Sequence, residues 1–247
     1  MLSFTRFSRS GAALALLLMP VLLPAQGPAV VTTGLEAPYK LAFTGAGHLL
    51  VAEAAPKVNG GRLTWVHRST GAKQVILDGL PTNGSTTEAE AVSGIAIRER
   101  NVFVLMGEGD VVVSGTAPGT QVPNPKGLLS PIFSSLLALR FSTELEAVTR
   151  PFTLTPADQV KLSDGIDVEL DNGAGARLTI QMVADFADFR PDPNTITRAS
   201  HPFGIDFDRQ NPNIAYIPDS GQNKLLRVDL NTGRTRTLAT FPPLRRP

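Results

Sequence analysis

The sequence predicts an all-β protein, a β-propeller of four-stranded blades. Three observations carry that expectation. Glycine and proline number 22 and 20 among 247 residues, above their combined average usage of about 12%. They punctuate short β-type runs, with no long 3.6-residue apolar period. Ser200 to Pro243 divides into four such runs, GIDF, IAYIPD, KLLRVDL and RTLATF, parted by Asn-Pro-Asn, Asp-Ser-Gly-Gln-Asn and Asn-Thr-Gly turns. Four strands in about 40 residues make one propeller blade. Finally, the layout repeats: Pro38, Phe43, Glu53 and Thr70-Gly71 fall on Pro202, Phe207, Asp219 and Thr232-Gly233.

The first 25 residues stand outside that fold. Arg6 and Arg9 precede the apolar run Gly11 to Met19, and small Ala25 follows PVLLP, the succession of a signal peptide cleaved after about Ala25. A membrane anchor would need ~20 unbroken apolar residues, and Pro20 and Pro24 interrupt this one. The expectation is a secreted or periplasmic protein, with residues 26–247 as the propeller domain. The formal net charge of the whole chain is +1 and turns slightly negative once Arg6 and Arg9 are lost. That leaves no electrostatic case for nucleic acid or an anionic membrane. Cysteine is absent, so thiolate metal sites and thiol nucleophiles are excluded.

After the leader, Ala29 to Leu35 (AVVTTGL) reads as a β-branched run of the kind that ends a unit, arriving before any unit has begun. The first unit, about 34–81, follows with KLAF, HLLVAE, GRLTWVH and KQVILDGL. The second, about 90–190, opens with SGIAI and NVFVLMGEG, and its third strand SLLALRF comes late. Residues 110–131 are therefore an insertion, either a lid or a plain surface loop. DGIDVEL and RLTIQMV around Asp171-Asn172-Gly173 form a hairpin, read as the outer part of the second blade or a degenerate third. The last unit, 200–243, has its own fourth strand. The inner strands that Val30 to Thr33 would complete are then missing, so the expectation is three to four blades with unpaired edges, prone to association.

No catalytic constellation stands out. His48, His67 and His201 lie at different places in their repeats, and neither a His-x-x-x-His pair nor a Gly-x-Ser-x-Gly elbow occurs. Candidate ligand-binding residues sit where connections gather on one mouth of a propeller channel. They are Glu53, Asp219 and Asn223 after second strands, and Ser93 and His201 at first strands. Glu53 and Asp219 would suit a hard divalent cation such as calcium. The competing reading makes Asp219 to Asn223 a turn whose side chains cap their own backbone. Trp65, Leu225, Leu226 and Val228 read as core.

GLEAPYKLAF, GHLLVAEA, GRLTWV, LDGLP, SGIAI, VADFADF, HPFGIDF, PDSGQNKLLRVD and LATFPP together resemble the ScyD/ScyE family of exported bacterial proteins. The resemblance implies a six-bladed propeller of the NHL and TolB-like kind, here truncated at the C-terminal end. Ser200-His201-Pro202-Phe203-Gly204 and Pro218-Asp219-Ser220-Gly221 depart from that family's usual Ser-Asn-Pro-Tyr-Gly and Ala-Asp-Ala-Gly. The expected role is a non-enzymatic scaffold that binds a small molecule or protein partner at one mouth. The alternative is a metal-dependent lactonase-like hydrolase of the gluconolactonase propeller type, its cation polarising a carbonyl.

Overall fold

A computed structural model describes residues 29–85, 92–117, 120–186, 190–191 and 197–242. The chain divides into two compact units, Met1–Val30 and Val31–Pro247, and every strand and helix named below lies in the second. The signal-peptide stretch 1–25, the tail from Pro243 and much of DFADFRPDPN fall outside the described residues.

The first blade is an antiparallel meander of β1 (Pro38–Phe43), β2 (Leu49–Ala54), β3 (Gly61–Val66) and β4 (Lys73–Leu80). Its strands fall where the turn residues of the sequence place them. The second begins with β5 (Val92–Arg98) and β6 (Asn101–Met106), followed by the small hairpin β7 (Val112–Ser114) and β8 (Gln121–Pro123), then β9 (Ser135–Phe141). Residues 110–131 thus contain a two-stranded ribbon, and the Asp110 carboxylate pins the segment by accepting the Leu129 N–H at 3.1 Å and the Asn124 amide at 2.9 Å.

After β9 the chain makes an excursion that the sequence reading did not anticipate. β10 (Phe152–Thr153) pairs in parallel with β4 of the first blade, Phe152 opposite Leu77. The helix α1 (Pro156–Ser163) follows, and the chain returns with β11 (Val168–Asp171) and β12 (Arg177–Asp185). The second sheet has the order β11-β12-β9-β6-β5, so the hairpin is the outer part of the second blade. Its turn uses the expected chemistry: Asp171 and Asn172 side chains accept the N–H groups of Gly173 and Ala174 at 2.7 and 2.9 Å. A short ribbon of β13 (Arg190–Pro191) and β14 (Thr197–Arg198) leads to the third blade. That blade is β15 (Asp206–Phe207), β16 (Ile214–Asp219), β17 (Lys224–Asp229) and β18 (Thr235–Thr240), an antiparallel four-stranded meander.

The stacking of these sheets follows from strand alternation. Successive side chains of a strand point to opposite faces, and the central strands of the second blade are apolar on both. Val102, Val104 and Met106 of β6, with Leu137, Leu139 and Phe141 of β9, enter a core shared with Leu50, Leu63 and Leu77 of the first blade. Phe103 and Leu105, with Leu136 and Ala138, enter a second core with Ala215, Ile217, Leu226 and Val228 of the third. Sheets packed face to face in this way make an all-β, propeller-type architecture of blade-sized units.

Residues 31–35 form no strand, which corrects the expectation for AVVTTGL. The segment nevertheless occupies a position that recurs. Gly71 and Gly233, at φ +70° and +69°, sit in equivalent third-to-fourth-strand turns. A Cβ on Gly71 would collide with the Val31 carbonyl, and one on Gly233 with the Val183 carbonyl of β12. Val31 therefore stands to the first blade as β12 of the second blade stands to the third. The Thr32 hydroxyl donates to the Gly71 carbonyl at 2.9 Å, and the Lys73 ammonium to that of Thr33 at 2.6 Å.

Candidate functional site

The first strands of the three blades converge at one place, and the side chains there come from β1, β5 and the segment before β15. Pro202 makes an isolated bridge to Asp219, in the register by which Pro38 faces Glu53. Asp219 is 3% exposed. Its Oδ2 accepts the Ser200 hydroxyl at 2.7 Å, and Oδ1 accepts the N–H groups of His201 and Gln222, each at 3.0 Å. Asn223 has φ +50°, and its carbonyl accepts the Phe241 N–H at 2.8 Å. The carboxylate part of the turn chemistry read from Asp219 to Asn223 is thus present, in the bond from the Gln222 N–H. Buried Ser93 on β5 donates to the Pro202 carbonyl at 2.5 Å, tying the second blade to the third.

Ser93, His201 and Asp219 therefore gather around Pro202. His201 Nδ1 lies 3.8 Å from Glu108 Oε2, and its ring centroid is 5.8 Å from that of Phe203. Burial pushes the imidazole below its ordinary pKa, with Lys40 acting the same way and Glu108 and Asp219 opposing. Lys40 Nζ sits 3.3 Å from the Phe203 ring centroid and 5.1 Å from that of Tyr39, and burial lowers its pKa as well. Tyr39 and Phe203 meet edge to face at 6.3 Å while remaining 45% and 40% exposed. The site thus offers a partly desolvated ammonium on an accessible aromatic platform, with an imidazole and a carboxylate beside it.

Glu53 belongs to a network within the first blade. It is 1% exposed and takes Arg62 Nε and Nη2 at 3.0 Å on its two oxygens, with the Thr64 hydroxyl and the Glu36 N–H as further donors. Burial alone would raise its pKa, but the hydrogen bonds from Arg62, Thr64 and Glu36 together hold it below the usual range. The guanidinium neutralises the charge that a bound cation would. Among the described residues, no group of three or more His, Asp or Glu side chains is arranged to hold a metal ion.

Sequence reasoning missed Tyr39, Lys40, Phe203 and Glu108. One signal was present: Pro38-Tyr39 and Pro202-Phe203 put an aromatic at the same offset in aligned repeats. It also treated His48 and His67 as unrelated, whereas Leu49 pairs with Val66 and the two imidazoles flanking that pair lie 4.3 Å apart. Both take backbone N–H donors on Nδ1, from Arg68 at 3.3 Å and from Thr70 at 3.2 Å, so they serve the turn between β3 and β4.

No protein-family model matches the chain, and no curated protein matches it. Solved structures share a distant likeness. One is a protein described as an oxidoreductase (glucose dehydrogenase) from Thermus thermophilus, 15% identical over 87% of this chain and 86% of that one, with a TM-score of 0.28. Another is a nidogen/laminin complex, 13% identical over 84% of this chain and 81% of that one, with a TM-score of 0.24. The fold assignment rests on the sheets themselves.

Proposed function

We propose that the chain is an exported propeller-type scaffold that binds a small molecule or protein partner through Tyr39, Lys40 and Phe203. The motif set that resembles the ScyD/ScyE family and the leader at 1–25 support the exported, scaffold part of this reading. One observation carries the binding part: the Lys40 ammonium is held over the Phe203 ring, 3.3 Å from its centroid, where both aromatics stay accessible. A cation stripped of part of its water attracts an anion more strongly than one in bulk solvent, and exposed aromatic rings accept apolar contact. The matching partner group is a carboxylate next to an apolar or aromatic moiety.

Phenylacetate is a direct probe of that chemistry. Titrated into the protein and followed by NMR, it is expected to shift the signals of Tyr39, Lys40 and Phe203, to lose that effect in Lys40→Gln and to keep it in Lys40→Arg. Equal shifts in wild type and Lys40→Gln would overturn the reading. Export is tested separately by the intact mass of protein recovered outside the cytoplasm, which should lack Met1 to about Ala25.

A further inference from the structure

A concavity of about 400 Å³ opens at the end of the first blade; Glu36 and Arg62 of the Glu53 network line it, and Tyr39, Lys40, His201 and Phe203 do not. Glu36, Lys57, Asn59, Arg62, Asp78 and Thr153 contribute to its wall. Its volume is at the small end of the range that ligand pockets occupy, roughly 300–1,000 Å³.

The walls are held from several sides. Thr82 donates its hydroxyl to the Lys57 carbonyl, fastening the loop between β2 and β3. Gln159 of α1 donates to Asn59 Oδ1 at 3.0 Å and to the Gly79 carbonyl at 3.1 Å. The excursion through β10 and α1 thus braces the cavity.

Its charges are what select a ligand. Asp78 lines the cavity, and its Oδ1 is buried with no hydrogen-bond partner among the described residues, so the carboxylate keeps acceptor capacity that the fold does not use. Asp78 is also near enough to Arg62 for its charge to help hold the guanidinium protonated, after the larger effects of Glu53 and of Glu36, whose Oε2 lies 3.6 Å from Arg62 Nη2. Arg62 spends Nε and Nη2 on Glu53, which leaves Nη1 as a remaining donor. Lys57 adds a second positive charge to the lining. A simple cation would face Arg62 and Lys57, and a simple anion would face Glu36 and Asp78. Among the described residues no aromatic side chain lines the cavity, so a stacked sugar ring finds no platform there.

We propose that this cavity binds a small zwitterion of the free amino-acid class. The ammonium group donates to Asp78, and the carboxylate accepts from Arg62 Nη1 and Lys57. Isothermal titration of the full chain with L-serine and L-glutamine tests this, with acetate and methylamine as singly charged controls. Saturable binding is expected for at least one amino acid, at least tenfold tighter than for either control. Asp78→Asn should weaken it at least tenfold and Lys57→Gln by a smaller factor, and the amide signals of Asn59, Gly60 and Gly79 should move on titration of the wild type. Absence of saturable binding, equal affinity for acetate, or unmoved Asn59, Gly60 and Gly79 amides would each overturn the proposal. Should Asp78→Asn fail to fold, Lys57→Gln and the wild-type amide shifts decide the matter.

Discussion

At the residue scale, two titratable groups, one an acid and one a base, connect stability to pH in the same direction. Glu53 has its pKa lowered in the folded chain because donors from Arg62, Thr64 and Glu36 outweigh burial. Its stabilising effect is therefore complete above the ordinary value of 4.5 and is lost as pH falls through the folded pKa. Glu53→Gln should destabilise the protein by about 2–4 kcal/mol at pH 7, because Arg62 loses its buried, doubly hydrogen-bonded counter-ion and keeps only the exposed Glu36 at 3.6 Å. In urea melts, the gap between wild type and variant should shrink by pH 3. His201 is also lowered, by burial first, so here too the unfolded chain takes up the proton earlier as pH falls. Stability should decline as pH falls below the ordinary 6.5 and level off beneath the folded pKa. His201→Gln should flatten that segment of the stability profile; an unchanged slope would remove His201 as its source.

At the element scale, α1 shows how a short helix is specified by its first turn. Thr155 accepts the Asp158 N–H at 3.2 Å, and Asp158 accepts the Thr155 N–H at 3.2 Å in return, with Pro156 at the first helical position. Thr155→Ala should cost about 1 kcal/mol, read as a lower urea midpoint with an unchanged slope. The two turn glycines make a stronger case. Gly71→Ala and Gly233→Ala each combine a left-handed φ with a collision against a neighbouring carbonyl. Each should cost more than about 1 kcal/mol. The Gly71 variant should also loosen Val31 to Thr33, seen as faster amide exchange there.

At the scale of the whole molecule, the β1 strand of the first blade is the exposed element to watch. Tyr39, Leu41 and Phe43 alternate along it and are 45%, 57% and 63% exposed, an apolar row on a strand that, among the described residues, pairs only with β2. Unpaired strand edges bearing apolar side chains template association. Light scattering should show apparent mass rising with concentration, and Leu41→Lys should suppress the rise. A concentration-independent monomer would dismiss this surface as an association site. The interior is more conventional: Leu137→Ala, in the core between the first two blades, should cost about 2–5 kcal/mol.

The sequence by itself determined the blades. IAYIPD, KLLRVDL and SLLALRF become strands almost residue for residue, because turn residues and β-branched runs act through local backbone preference. The turn reading of Asp171 to Gly173 was legible for the same reason. Thr155-Pro156-Ala157-Asp158 also carries a local helix-start signal, which a reading in four-stranded units passes over. Only the tertiary structure decided what non-local pairing controls. It left residues 31–35 unpaired, since a strand exists only where a partner backbone meets it, and it sent β10 across to β4. It also decided the sites. Glu53 and Asp219 occupy matching repeat positions, yet Arg62 faces one and the chain's own N–H groups face the other. Lys40 meets Phe203 only because two blades distant in sequence bring their first strands together, and no spacing along the chain encodes that distance.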